Sequence, residues 1–207
     1  MRLELDYMTL DDSGLLGPAP RIVLWLHGCG RDCPGCIATD WNKKDGSTFS
    51  LSVGTLLRYI DSHQDLEGVT ISGGEPFIQD AALGELVSAL HSKGLGIIIY
   101  TGYVLAELQS NPQAGVQKAL FGCDTLIDGP YDETMDDDQS LRGSSNQKIY
   151  HFTSRYREYF STSGARRSVI LEENGQRYIL GIPDVDAKER WAEIKRSAGI
   201  APEREER

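Results

Sequence analysis

Three cysteines lie within eight residues, at Cys29, Cys33 and Cys36, in a C-x3-C-x2-C pattern. Three thiolates can hold a cubane iron–sulfur cluster by three of its irons. The fourth iron then has no protein ligand, so a small molecule with an amine and a carboxylate can chelate it. Glycines in the same loop let the backbone approach the cluster and direct amides at its sulfides. The pattern therefore predicts one [4Fe–4S] cluster with an open coordination position.

Other kinds of site could use the same cysteines. Cys33 and Cys36 alone match a thioredoxin-like redox pair, although that motif normally opens a helix and leaves Cys29 without a role. A structural zinc site needs a fourth ligand, which His27 or Cys123 would supply. An ordinary ferredoxin cluster needs Cys123 as its fourth thiolate. A zinc or electron-transfer module is thus the non-catalytic alternative, and Cys123 is otherwise expected to pack as a small buried hydrophobe.

The composition indicates a globular chain with an acidic surface. Of 207 residues, 40% are hydrophobic, enough for one domain with a buried core, and the formal net charge is −10. Such a surface repels phosphate backbones, so we expect no nucleic-acid partner. There is no apolar run of membrane-spanning length, and the acidic N-terminus does not resemble a secretory signal. We therefore expect a cytoplasmic protein with no membrane partner, whose clustered cysteines serve metal or redox chemistry.

Short apolar runs alternate with amphipathic segments along the first two thirds of the chain. The runs predict strands over 22–26, 68–72, 96–100 and 124–128. Helical periodicity predicts helices over 53–62, 81–93 and 103–120. Asp80 is expected to cap the second helix, Gly94 to end it, and Pro112 to break the third. This order predicts an α/β fold with parallel strands, either a partial barrel or an open doubly wound sheet.

Polar or glycine-rich segments follow each predicted strand, namely the cysteine loop, Gly73-Gly74-Glu75, Thr101-Gly102 and Asp128-Gly129. The carboxyl ends of parallel strands meet at one edge, where ligand sites form. We therefore expect these segments to converge. Two glycines let a turn pass close to a ligand, and Glu75 can accept a hydrogen bond from an ammonium group.

The chain beyond residue 128 carries fewer signals of chemistry. Residues 129–149 are predicted to form a long loop, and 168–182 a β-hairpin with a type I′ turn at Asn174-Gly175. Asp186 and Glu189 have capping-box spacing for a helix over 187–198 that ends at Gly199. Four neighbouring arginines are interpreted as a solvated face: Arg155, Arg157, Arg166 and Arg167.

Ser72-Gly73-Gly74-Glu75-Pro76, together with the preceding cysteine loop, resembles the two cofactor motifs of the radical S-adenosylmethionine (SAM) superfamily. Further segments resemble the activating proteins of anaerobic ribonucleoside-triphosphate reductase and, more distantly, pyruvate formate-lyase activating enzyme. These segments are Gly17-Pro18, Arg21, Trp41, Tyr100-Thr101-Gly102-Tyr103, Leu126-Ile127-Asp128-Gly129-Pro130 and Arg142-Gly143-Ser144-Ser145-Asn146-Gln147. The resemblance covers residues 16–149.

The resemblance implies a partial (β/α) barrel of parallel strands that binds a [4Fe–4S] cluster and SAM. It makes Cys29, Cys33 and Cys36 the catalytic cluster ligands. The cofactor-binding residues that it implies are Ser72, Gly73, Gly74, Glu75, Thr101, Asp128, Ser144 and Asn146. Glu75 and the two glycines would hold the SAM amino group, while Thr101 and Asp128 would contact its carboxylate directly or through a bound cation. Ser144 and Asn146 would close over the site.

The implied activity is that of a glycyl radical enzyme activase. An electron from reduced flavodoxin or ferredoxin splits SAM into methionine and a 5′-deoxyadenosyl radical. That radical removes a hydrogen atom from a glycine α-carbon of a partner enzyme, here one resembling an anaerobic ribonucleotide reductase. Glycine suits this role because its amide and carbonyl share the unpaired electron. The alternative is a radical SAM enzyme that modifies a small molecule or a peptide.

The sequence departs from the family pattern at three points. Ile37 stands where an aromatic residue commonly follows the third cysteine, and Glu75 replaces the aspartate of many activases. The family usually ends soon after the Arg142–Gln147 string, whereas this chain continues for 58 residues beyond residue 149. We therefore predict a radical SAM core over 1–149 and a C-terminal extension over 150–207, made of a hairpin and a helix packed on the core.

Overall fold

A computed structural model describes residues 1–38, 48–162, 164–173 and 176–197. Seven strands form one sheet: β1 (Arg2–Asp11), β2 (Arg21–Leu26), β3 (Phe49–Ser52), β4 (Gly68–Gly73), β5 (Gly96–Tyr100), β6 (Thr125–Asp128) and β7 (Lys148–His151). A separate hairpin contains β8 (Ser168–Glu173) and β9 (Gln176–Gly181). The helices are α1 (Val53–Asp61), α2 (Asp80–Ser92), α3 (Leu105–Ser110), α4 (Ala114–Gly122), α5 (Arg157–Thr162) and α6 (Val185–Ser197).

The strand order of the large sheet is β3-β1-β2-β4-β5-β6-β7. The four central strands, β2, β4, β5 and β6, run parallel and follow the chain order, which confirms the predicted α/β fold with helical crossovers. Antiparallel strands flank them on both sides. Neither β1 nor β3 was predicted, and the prediction of a loop throughout 129–149 was wrong, because β7 begins at Lys148.

The predicted helices are present, with shifted ends. Asp80 is the first residue of α2 rather than its cap, although a carboxylate there still favours the helix dipole. Gly94 adopts a left-handed φ of 74° just after α2, as a helix-ending glycine does. The segment 103–120 forms two helices, α3 and α4, with Pro112 between them.

The C-terminal elements also match their predicted types. The hairpin and α6 are present, but Asp186 lies inside α6. Asp184 caps this helix instead, because its Oδ1 accepts a hydrogen bond from the Ala187 amide at 2.7 Å. Asn174-Gly175, Gly199 and Trp41 lie outside the described residues. No helix in the described part of the chain is long and apolar enough to cross a membrane.

The two faces of the sheet are covered by different parts of the chain. Alternate residues of β2, including Leu24 and Leu26, pack into the main core with α1, α2 and α4. Val23 and Trp25 face the other way and pack in a second cluster that includes Leu180 of β9. Each such side chain contributes about 1.5–3 kcal/mol when buried. The extension therefore shields one face of the sheet from water.

Candidate functional site

The three clustered cysteines lie in the loop after β2, and all three line one cleft. Each thiol is partly exposed. The Arg31 amide donates to Cys29 Sγ at 3.4 Å, and the Cys36 amide donates to the Cys33 carbonyl at 3.1 Å. Partial burial raises the pKa of the Cys29 thiol, with the Arg31 amide opposing the shift. The raised pKa favours the protonated thiol, whereas a coordinating metal favours the thiolate because it binds that form.

Neither residue considered as a fourth ligand reaches this cleft. Cys123 is buried in the main core, where its thiol donates to the Thr125 carbonyl at 3.0 Å. His27 Nδ1 lies 2.7 Å from Asp6 Oδ1, and the ring does not line the cleft.

The donor set fits a site-differentiated cluster better than a zinc ion. Among the described residues, no three histidine, cysteine or acidic side chains converge on the position of a single metal ion. Three thiolates that each bind a different iron of a cubane do not share one point. In the part of the chain that the structure describes, no fourth thiol and no imidazole lines the cleft. Among the described residues, neither His27 nor Cys123 therefore supplies the fourth ligand that the zinc and ferredoxin alternatives assign to them.

Glu75 is a buried carboxylate that ties three segments together. Its Oε1 accepts hydrogen bonds from Thr101 Oγ1 at 2.8 Å and the Phe77 amide at 3.0 Å, and its Oε2 accepts one from the Gly102 amide at 2.7 Å. Its own amide donates to the Gly28 carbonyl at 2.7 Å. Burial raises its pKa, and these hydrogen bonds oppose that shift. Because each carboxylate oxygen has two acceptor positions, Oε2 retains one for an ammonium group.

Gly73 makes the approach of this turn to the cysteine loop possible. It pairs with Leu26 in the parallel register of β2 and β4, and its φ is 110°. A Cβ at this position would collide with the backbone of Leu26. A residue with a side chain is therefore excluded both by the conformation and by the close contact.

The predicted residues of β4 and β5 line the cleft, whereas the one at the end of β6 does not. Ser72, Gly73, Gly74, Glu75 and Thr101 are all lining residues. The Asp128 side chain is buried elsewhere: its Oδ2 accepts from the Leu105 amide at 2.6 Å, and its Oδ1 from the Lys148 amide at 3.2 Å. Asp128 thereby holds the start of α3 and of β7 in place.

Ser144 and Asn146 likewise lie behind the cleft rather than in its lining. Ser144 Oγ accepts from the Asp132 amide at 3.1 Å, and Asn146 Nδ2 donates to the Pro130 carbonyl at 2.8 Å. Their loop reaches the cleft through other residues, namely Gly129, Tyr131, Gly143 and Gln147. Gln147 belongs to the Arg142–Gln147 string, so the same motif could have indicated it.

The cleft is open to solvent on one side and has a cavity volume of about 190 Å³. Its wall also includes five residues of the extension that the sequence did not mark as site residues: Ile179, Gly181, Ile182, Pro183 and Lys188. No local motif marks them. The predicted hairpin covered Ile179, Gly181 and Ile182 and the predicted helix covered Lys188, but neither prediction indicated the surface of the core on which they lie.

Comparison with known proteins identifies the class to which this site belongs. Residues 15–150 match the family described as a 4Fe-4S single cluster domain. The chain belongs to this family and is a radical SAM enzyme. Its cofactors are a [4Fe–4S] cluster and SAM.

Within that class, the similarity is to activating proteins. The chain is 34% identical over 154 residues to the anaerobic ribonucleoside-triphosphate reductase-activating protein of Vibrio cholerae, covering 66% of this chain and 91% of that protein. It is 28% identical over 142 residues to the protein of the same name from Enterobacteria phage T4, with 66% and 87% covered. It is also 33% identical over 84 residues to the pyruvate formate-lyase-activating enzyme of Streptococcus mutans, with 38% and 32% covered.

Proposed function

We propose that this chain activates a glycyl radical enzyme that resembles an anaerobic ribonucleotide reductase. The observation that carries the proposal is the cleft, where Cys29, Cys33 and Cys36 meet the Gly73–Glu75 turn without a fourth thiol or imidazole among the described lining residues. The names of the relatives supply the class of partner. Residues 1–149 are the radical SAM core, a partial (β/α) barrel, and 150–207 are an extension.

The residues of the cleft have distinct roles in this proposal. The three thiolates bind three irons and leave the fourth for the amino and carboxylate groups of SAM. The Glu75 carboxylate accepts a hydrogen bond from the SAM amino group. Thr101 and the Gly102 amide hold the Glu75 carboxylate in position. When bound, the reduced cluster and SAM would supply the one-electron chemistry that removes a hydrogen atom from a carbon of the substrate. The protein positions these groups and excludes side reactions.

Of the remaining predicted residues, all but Ser72 act by positioning other segments rather than by lining the cleft. Asp128 fixes α3 and β7, and Ser144 and Asn146 shape the loop that carries Gln147 to the cleft. Ser72 lines the cleft beside the glycines. Reduced flavodoxin or ferredoxin in the cytoplasm is the proposed electron donor.

A second candidate is a radical SAM enzyme that modifies a small molecule or a peptide. The observation that favours it is the contribution of the extension to the cleft wall, because this segment lies beyond the family match at residue 150. It would then form part of a pocket for a different substrate.

Incubation with a partner distinguishes the two candidates. The reconstituted, reduced enzyme is mixed anaerobically with SAM and a glycyl radical enzyme encoded in the same genome. We expect a glycine-centred radical by electron paramagnetic resonance (EPR). The signal should be absent when the partner's radical-bearing glycine is replaced by alanine. SAM cleavage without a protein radical on any such partner would favour the second candidate.

A further inference from the structure

The described part of the extension, residues 150–162, 164–173 and 176–197, is built into the fold rather than loosely attached. Tyr178 of β9 stacks on Tyr7 of β1 with ring centroids 3.6 Å apart and planes within 6°. Leu180 is buried beside Val23 and Trp25 on the face of the sheet opposite the main core. Because these side chains cover apolar surface that would otherwise meet water, the extension is part of the native core.

A buried arginine fastens the extension to the loop that borders the cleft. The Arg166 side chain has no solvent exposure, and its Nη1 lies 2.8 Å from Asp136 Oδ1. Its Nη2 donates to the Gly143 carbonyl at 2.7 Å, and its Nε donates to the Gln139 carbonyl at 3.0 Å. A buried charge requires such partners to offset its lost hydration. The predicted solvated role of Arg166 was therefore wrong.

A second cation joins α6 to the same loop. Lys188 Nζ donates to Tyr131 Oη at 2.9 Å and to Asp136 Oδ2 at 2.5 Å. Asp136 thus receives hydrogen bonds from two residues of the extension, one on each side of the hairpin. The hairpin is held at both ends, so its position over the cleft is fixed.

The residues between these two anchors face the cofactors' cleft. Ile179 and Ile182 line it together with Cys29, Cys33 and Cys36. The cluster, SAM and the reacting carbon of the substrate must share this one space. The two isoleucine side chains therefore limit the room that is left for the substrate.

We infer that the extension is a fixed apolar wall of the active site, and that Ile179 and Ile182 select a substrate residue without a side chain. The inference rests on the proposed function, in which the reacting carbon is a glycine α-carbon. With SAM bound, an α-carbon flanked only by backbone would leave room beside the wall, whereas a methyl group on it would meet the isoleucines that line the cleft. A methyl-sized difference in an apolar pocket discriminates by about 10- to 200-fold.

Hydrogen–deuterium exchange tests the wall independently of any substrate. SAM is added to the reconstituted holoenzyme with its cluster oxidised, so that no turnover occurs. We expect slower exchange in peptides spanning 72–75 and 176–183, by up to about 100-fold when SAM is at 100 times its Kd. Helix α4, which packs in the main core and does not line the cleft, is the control and should not change. Protection of 72–75 without protection of 176–183 would overturn the inference that the extension forms a wall of the active site.

A peptide assay tests the selectivity. Two synthetic peptides differ only at a central residue, α-deuterated glycine or α-deuterated alanine, and dithionite supplies the electron. Hydrogen-atom transfer breaks the Cα–D bond and forms a C–D bond at the 5′ carbon of 5′-deoxyadenosine, which mass spectrometry detects. We expect the wild type to prefer the glycine peptide, and Ile179→Ala and Ile182→Ala to lower that preference by about tenfold or more.

Matched variants keep the result decisive. Val169→Ala alters an exposed residue of the same hairpin that does not line the cleft, and it should keep the wild-type preference. Ile179→Val is the milder substitution if the alanine variant does not fold. An unchanged preference in the folded isoleucine variants would overturn the inference. If neither peptide transfers deuterium while SAM is cleaved and the partner enzyme still gains its glycyl radical, the selectivity part of the inference is overturned while the proposed function stands.

Discussion

The two walls of the cleft are held in place by different means. The cysteine wall consists of the loops that follow β2, β4 and β5. Hydrogen bonds join these loops, such as the one that Thr101 donates to Glu75. The extension wall is held by Arg166 and Lys188, which share one carboxylate partner, Asp136, in the loop after β6. Groups that perform chemistry thus come from short motifs at strand ends, whereas the surface that bounds access is anchored by ion pairs between the extension and that loop.

The largest effect is expected at the cysteine wall. Cys33→Ala removes one of three thiolates, so we expect loss of the cluster and SAM cleavage below detection. Cys123→Ala is the matched control, because that thiol is buried in the main core. It should keep its iron and its SAM cleavage. Iron and sulfide analysis, with 5′-deoxyadenosine release, measures both. A Cys33→Ala protein that still held a SAM-cleaving cluster would contradict the distinction between the walls.

Substitutions that disrupt the extension wall should lower the free energy of unfolding rather than abolish the cofactor chemistry. Arg166→Met leaves Asp136 and several carbonyls without their buried partner, and breaking a buried ion pair costs about 3–5 kcal/mol. Arg177→Met removes only an exposed pair with Glu172 on the same hairpin, at a cost of about 0–1 kcal/mol. Urea unfolding compares the two free energies. Equal unfolding midpoints would mean that Arg166 does not anchor the extension.

A glycine pair probes the backbone of the cysteine wall. Gly73→Ala places a Cβ at positive φ and against Leu26, so we expect strain of about 1–3 kcal/mol and weaker SAM binding. Gly54→Ala lies in α1, where the added Cβ meets its nearest atom at 3.9 Å. Alanine should stabilise that helix by about 0.5–1 kcal/mol. Thermal unfolding and a SAM titration compare the stability and the SAM affinity of the two variants. Equal stability and equal affinity would contradict the role given to Gly73.

The smallest predicted effect is a pH dependence at the anchor of the extension. Burial would raise the pKa of Asp136, but hydrogen bonds from Arg166 and Lys188 lower it overall. Its charge therefore stabilises the fold above the unfolded pKa of about 3.9, and this contribution is lost as the pH falls through the lower folded pKa. Asp136→Asn should be less stable than wild type at pH 7, by a margin that narrows below about pH 4. A constant margin in urea unfolding across this range would contradict the assignment.

The sequence predicted the parallel strands and the convergence of their ends, because apolar periodicity and turn residues are local signals. It missed β1, and it placed Asp128 beside the cofactor although the side chain turns to the amides of Leu105 and Lys148. It also predicted a solvated Arg166. The direction of a side chain at a strand end, and the partner of a buried charge, depend on contacts between distant segments. No single motif encodes these contacts.

The most direct test of the central claim is EPR of the anaerobically reconstituted, reduced protein with and without SAM. The claim is that three thiolates leave one iron open to SAM. We predict a [4Fe–4S]⁺ signal that changes when SAM is added, both in the wild type and in Cys123→Ala. A cubane signal that SAM does not alter, or zinc without iron in the anaerobically purified protein, would contradict it.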